Sequence, residues 1–305
     1  MNDKINCITL SSLIKIDGNL NSGWNEDIIS TIKKIRLPDS SMRSYISGQA
    51  LRRMSRNQLK SFGYAISNKK PEEIKNDKQP IPTECDPYKY IDDDVYGYMK
   101  TGGKGNTAIS RISPVRVSPA ISLFPYNFER DLGLQNNNEI NKPNRFYETE
   151  MSANWYTYTI LIEADRVGIF DDRELDIVQR RDRIKAVVRS YQYLWGGGKQ
   201  SRLLSDASPK FFIYQSQIIK KPSLLDYISI DEDYNINIDL LKDGIKSSNE
   251  IKKSRIIGVD SFINNIDKLR ELDYYSGDVS DAFDKIYSDI DNMEIGNING
   301  RINKD

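Results

Sequence analysis

Apolar and β-branched residues run almost unbroken through INCITLSSLIKID, residues 5–17, and stop at the turn signal Asp17-Gly18, which predicts a first strand. Residues 19–40 are polar and read as a connection. Over residues 44–62 the spacing becomes helical. Projected at about 100° per residue, Ala50, Leu51, Met54 and Phe62 share one side, and Arg52, Arg53, Arg56 and Lys60 the other. Residues 67–94 hold four prolines and many acids, which suits an exposed insertion. Three strand-like runs follow, VYGYMK, NTAISRI and PVRVSPAISLF, broken by TGGKG and by prolines; they predict a protruding hairpin or β-rich arm. QNNNEINKPN, residues 135–144, reads as a loop. SANWYTYTILIEAD (152–165) predicts a strand, and residues 172–194 a helix, acidic at its start and basic later as the helix dipole favours. Gly196-Gly197-Gly198 stops that helix, and SPKFFIYQSQI (208–218) predicts a further strand.

Strand, helix, β-rich insertion, strand, helix, strand is the order of an α+β, ferredoxin-like (RRM-like) βαββαβ core carrying long inserts. Residues 223–305 differ in character, with 18 acids against 10 bases.

Composition narrows the chemistry. The 305 residues balance 44 Lys plus Arg against 44 Asp plus Glu, so attraction to a polyanion must come from segregated charge. There is no histidine, which removes Ser-His and Cys-His nucleophile pairs and histidine metal ligands. Two cysteines, Cys7 and Cys85, do not build a thiolate metal site. No run approaches a membrane span, and the N-terminus lacks a signal pattern, so the expectation is a cytoplasmic protein without membrane contact. No catalytic residue, metal site or cofactor is assigned.

The charge is indeed segregated. Between Asp39 and Glu72 lie seven bases, Arg43, Arg52, Arg53, Arg56 and Lys60 among them, and no acid. Between Asp94 and Glu129 lie Lys100, Lys104, Arg111 and Arg116, again with no acid. From Arg180 to Lys221 ten bases face two acids. A solvated helical face accounts for any one block; three in one chain point to a groove for a phosphate backbone. Gly196, Gly197 and Gly198, with Lys199 and Arg202, offer backbone N–H groups and charge to a phosphate. The stretch is no P-loop, because Tyr193 and Gln200 stand where that motif needs a glycine and a Ser or Thr. The aromatics of NWYTYTILIE read as core, and Asp92-Asp93-Asp94 as a solvated cluster.

Taken in order, the first strand with Leu20-Asn21-Ser22-Gly23, SGQALRR (47–53), SPVRVSPAISLFPYN (113–127), ETEMSANWYTYTI (148–160) and GGGKQSRLLSD before SPKFFI resemble the crRNA-binding backbone subunit of type I CRISPR effector complexes (Cascade), in its DevR-like, type I-B-associated branch. The resemblance implies a non-enzymatic RRM-like palm with finger and thumb. Its copies would stack along a guide RNA that pairs with a complementary DNA strand, beside other Cascade subunits, in antiviral defence. It implies a palm of residues 1–66 and 148–222, an inserted finger and thumb region of 67–147 with the thumb near 101–124, and an acidic 223–305 completing or flanking the palm. Asn21, Ser47, Gln49, Arg52 and Arg53 would hold phosphates, and 196–202 would approach the RNA backbone. Ser22 stands where relatives carry a base. An alternative is a type III-like backbone subunit that cuts target RNA with a metal, for which Asp17, or Glu26 and Asp27, are the local carboxylates.

Overall fold

The computed structural model describes residues 4–20, 22–26, 29–68, 83–100, 109–135, 145–198, 200–201 and 203–298. Its first half forms β1 (Cys7–Gly18), β2 (Ser22–Glu26), β3 (Ile29–Ile32), β4 (Lys34–Arg36), β5 (Met42–Ile46), α1 (Gly48–Ser61), α2 (Ile91–Tyr96), β6 (Tyr98–Lys100) and β7 (Ile109–Arg111). There follow β8 (Val115–Val117), β9 (Ala120–Ser122), β10 (Glu129–Gln135), β11 (Arg145–Ile162), α3 (Ile177–Gln192), β12 (Phe211–Gln217), α4 (Ile238–Ser247), β13 (Lys252–Val259), α5 (Ile266–Arg270) and α6 (Val279–Asn292).

The fold is a mixed one built on a large antiparallel sheet, ordered β13-β12-β1-β11-β9-β5-β4, with β8 also paired to β11. β1 lies at its middle because it is apolar on both faces. Even-numbered Leu10, Ile14 and Ile16 pack with Tyr158, Ile160 and Phe212 under α1, α3 and α6. Leu13, with Trp155, Phe211 and Ile213, packs on the other face under Leu224, Ile228, Leu241, Ile245 and Leu269. Both faces are therefore covered, the second by residues 223–272. The aromatics of NWYTYTILIE are core, as expected: Tyr156 and Tyr158 point to the helices, and Trp155 meets Tyr234 edge-on at 5.3 Å.

Several expectations are corrected. The polar connection of 19–40 contains β2, β3 and β4. The helix expected from residue 44 begins at Gly48, because Ser47 caps it by accepting Ala50 N–H at 3.3 Å, while 42–46 forms β5 against β9. The expected arm is divided. β6 and β7 stand apart as a hairpin, but β8 and β9 are strands of the main sheet. The longest ribbon was not expected: β10 runs along the first half of β11, with Leu132, Leu134 and Phe146 exposed. Gly133 fits there because the Tyr147 ring lies across it.

The acids Asp92, Asp93 and Asp94 are buried, not solvated. Asp92 accepts Arg56 at 2.6 Å and Ser67 N–H at 2.8 Å. Asp93 accepts Asp86 N–H and the Thr83 hydroxyl. Asp94 accepts Arg183 at 2.7 Å, Arg111, and Gly168 N–H at 3.0 Å. Buried charges occur where they are paired, and these pairings fix α2 in place. Cys7 is a buried thiol outside any disulfide, and burial pushes it up to about 12. Among the described residues no helix is long and apolar enough to cross a membrane.

Glu150 ties the root of the ribbon to β3, accepting Ile32 N–H at 2.9 Å and the Tyr126 hydroxyl at 2.8 Å, with Lys34 at 3.3 Å. Burial works against its charge, but these donors outweigh it and hold the carboxyl below its ordinary 4.5. A depressed carboxyl contributes fully above its ordinary value and loses that contribution as pH falls through the lowered one. Thermal stability should therefore drop as pH falls below about 4.5, and the drop should be shallower in Glu150→Gln. Parallel pH curves for the two proteins would contradict this.

Candidate nucleic-acid interface

Three of the segments singled out in the sequence meet in space. Past the end of β1, the backbone of Asn19 and Leu20 is met by the glycine loop that follows α3. A Cβ on Gly198 would run into the Asn19 carbonyl oxygen, and one on Gly197 would lie 3.3 Å from the Leu20 carbonyl oxygen and 3.2 Å from Met54 Sδ on α1. All three glycines have positive φ, at +96°, +85° and +56°, which α3's C-terminal turn leads into. The loop closes back through Ser205, whose hydroxyl donates to the Asp17 carbonyl at 2.6 Å. Asn21, Lys199 and Arg202 lie outside the described residues, as does Lys104.

Helix α1 presents an exposed stripe of Gln49, Arg53, Asn57 and Lys60, spaced so that they share one side. Among the described residues neither Arg53 nor Lys60 has an ion pair. At the start of the helix Gly48 is pressed onto β8, where a Cβ would come 2.5 Å from the Val117 carbonyl oxygen. Ser47 is the cap of that helix.

The remaining cations of the expected face are spent inside the protein. Arg52 donates to the Tyr96 carbonyl at 2.5 Å and lies over that ring at 5.2 Å. Arg56 is taken by Asp92 and the Ser67 carbonyl. Arg111 is consumed by Asp94 and by the carbonyls of Asp94, Ile169 and Arg166, which corrects the expectation of a free cation on the arm. In the third basic block Arg180 donates only to the carbonyls of Val167, Ala164 and Gly296, and burial pulls its affinity for a proton down.

Arg43 and Arg116 are on the wrong side for a shared channel. Arg116 pairs in register with Leu161 and Arg43 lies on the same sheet face, the one away from α1 and the glycine loop. Arg116 meets Glu163 at 2.5 Å, and Arg43 donates to the Leu123 carbonyl. Glu163 itself loses by burial but gains more from Arg166 and Lys220, which keep its carboxyl low. Leu161 stands opposite Thr9, nine residues of β1 before Gly18, or about 30 Å of strand. Among the described residues no single trough joins all three basic blocks within one chain.

Asp17, one of the local carboxylates for cleavage chemistry, is exposed and held by Lys15 at 2.5 Å, and Asp27 lies outside the described residues. Among the described residues no three acids or thiols gather as metal ligands. The sequence did not single out Arg189, Tyr193 and Trp195, which lie just before the glycine loop and meet Phe62 at the end of α1 through Arg189 and Tyr193. Arg189 stands 4.8 Å over the Phe62 ring and 6.0 Å from Tyr193. The i,i+4 spacing of Arg189 and Tyr193 at the end of α3 was the available signal.

No curated protein sequence matches the chain. Solved structures share its fold, two of them as follows. One, titled "CRISPR RNA-guided surveillance complex", is 11% identical with a TM-score of 0.60, covering 92% of this chain and 98% of the other. The second, titled "CRISPR RNA-guided surveillance complex, pre-nicking", is 10% identical with a TM-score of 0.61, covering 93% and 100%. The profile of the family described as "CRISPR-associated negative auto-regulator DevR/Csa2" matches residues 41–234, more than half of the 305. That span takes in α1, the ribbon, β11, α3, the glycine loop and β12, and the chain belongs to the CRISPR-associated DevR/Csa2 family.

Proposed function

We propose that this chain is a guide-RNA-binding backbone subunit of a Cascade-type CRISPR effector complex, a scaffold and not a nuclease. The carrying observation is the meeting of α1, through Met54, with the glycine loop and the Asn19–Leu20 backbone, on a helix whose exposed stripe is free of acids. Gln49, Arg53 and Lys60 offer donors for phosphates, and the Gly196–Gly198 backbone lets a strand pass close. Family membership and the likeness of fold to RNA-guided surveillance complexes support the same reading.

In this reading the palm is ferredoxin-like. The spatial order β12-β1-β11-β8/β9, with α1 after β1 and α3 after β11, is the 4-1-3-2 order of βαββαβ. Residues 1–66 and 148–222, joined by β8 and β9 from the inserted stretch, make that palm, and 223–298 completes it by adding β13 and covering the second face. The ribbon of β10 and β11 serves as the thumb better than the 101–124 region, in which β8 and β9 are palm strands. Arg43 and Arg116, on the far face, would serve a neighbouring copy and not the same stretch of guide. The guide would pair with the complementary DNA strand, with further copies and other subunits along it, in the cytoplasm. The Lys15–Asp17 pair favours holding RNA over cutting it.

Purified protein should bind single-stranded RNA with a steep salt dependence. Arg53→Ala with Lys60→Ala should weaken binding uniformly across sequences and reduce the slope of log affinity against log salt by about 0.7 for each phosphate that is no longer neutralised. Binding that ignores salt, or that ignores both substitutions, would overturn the reading.

A further inference from the structure

The stripe and the glycine loop account for a phosphate backbone but not for the apolar surface beside them. Trp195 is 53% exposed, Tyr193 50% and Leu204 77%, all within one short stretch. Large rings left in water together need a reason. The backbone beneath them is fixed: Ala207 N–H donates to the Leu194 carbonyl at 3.1 Å, and Trp195 bridges Asp206. Leu194 points into the core and Trp195 outward, so this is a held ring and not a frayed end. Tyr193 is braced edge-on by Phe62 at 6.4 Å, with the Arg189 guanidinium alongside. Arg189 has no ion pair among the described residues, and Lys60 stands two residues before Phe62. Asp206, which bridges to Trp195, is already taken by Lys210 at 2.7 Å.

Aromatic faces set among unpaired cations, next to a backbone-binding loop, are the make-up of a stacking platform for unpaired bases. The usual platform of an RRM-like sheet is closed here, since residues 223–272 cover that face. We propose that Tyr193 and Trp195 form the replacement platform, stacking on bases of a single RNA strand whose phosphates pass over Gly196–Gly198 and the α1 stripe. This rests on the RNA-binding reading above and adds to it the residues that touch bases.

The test uses the full chain and fluorescein-labelled single-stranded RNA of about a dozen nucleotides. Trp195→Ala and Tyr193→Ala should each lower affinity about tenfold, with the salt slope unchanged, because every phosphate keeps its partner. Trp195→Phe should retain most of the affinity, and purine tracts should bind better than uridine tracts. Parental affinity in Trp195→Ala, alongside weakened binding in Arg53→Ala with Lys60→Ala, would overturn the platform and leave the backbone reading standing. Unchanged RNA affinity with lost self-association in sedimentation would make the patch a protein contact and also overturn it. If neither set of variants alters RNA binding, the backbone reading fails as well.

Discussion

Asp94→Ala is expected to cost about 3–5 kcal/mol of folding stability, the scale for removing one partner of a buried ion pair. The carboxylate is fully buried and is shared by two cations, Arg183 from α3 and Arg111 from the hairpin, as well as by Gly168 N–H. Its loss leaves two guanidiniums facing each other in a half-dry pocket. Each keeps some carbonyl partners, Pro87 and Tyr88 for Arg183, Ile169 and Arg166 for Arg111, so collapse is not the only outcome. The side expected to give way is the hairpin, because Arg111 is its return strand while Arg183 sits in the middle of a packed helix. Denaturant unfolding should show the loss, and hydrogen exchange should rise at Arg111 and Gly168 before it rises in β1. Asp172→Ala is the control: its carboxylate is exposed and only 3.8 Å from Arg173, so its effect should stay within about 0.5 kcal/mol. Equal effects from the two substitutions would mean that Asp94 is not an anchor.

The same cluster marks the limit of what the sequence disclosed. β1, β11, α3 and β12 were legible because long apolar runs and helical spacing are local signals, and Ser47 and the glycine triplet are local stops. Three adjacent acids on α2 have no such signal. Their partners Arg111 and Arg183 lie 17 and 89 residues from Asp94, and only the folded chain brings them in. The charge blocks show the same split. Their acid-free stretches could be counted, yet Arg56, Arg111 and Arg180 go to carboxylates and carbonyls of the interior, and two surface cations of α1 remain. β10 was missed because Gly133 and alternating charges mask it, and its pairing depends on Tyr147 from the other strand. In the candidate site, the glycines could be read as a loop near phosphate, but their contact with Asn19, Leu20 and Met54 could not.

That contact can be broken selectively. In Gly198→Ala the new methyl group falls on the Asn19 carbonyl oxygen and within 2.8 Å of Leu20 Cα, both backbone atoms with no side chain to swing aside. The left-handed backbone at +56° adds roughly 1–2 kcal/mol. The loop must therefore lift away from the end of β1, and RNA affinity should fall at least as far as in the double substitution of Arg53 and Lys60, since the platform and the close backbone pass move together. Gly196→Ala separates strain from displacement. Its φ of +96° is at least as unfavourable for alanine, but nothing lies within 4 Å of the added carbon. It should lose stability on a similar scale while the loop stays against Asn19 and Leu20, so RNA affinity should be largely kept. Gly197→Ala falls between them, because Met54 Sδ at 3.2 Å belongs to a flexible side chain that can retreat. If Gly196→Ala and Gly198→Ala bind RNA alike, the juxtaposition of loop and strand end is not what holds the guide, and the site lies elsewhere on the protein.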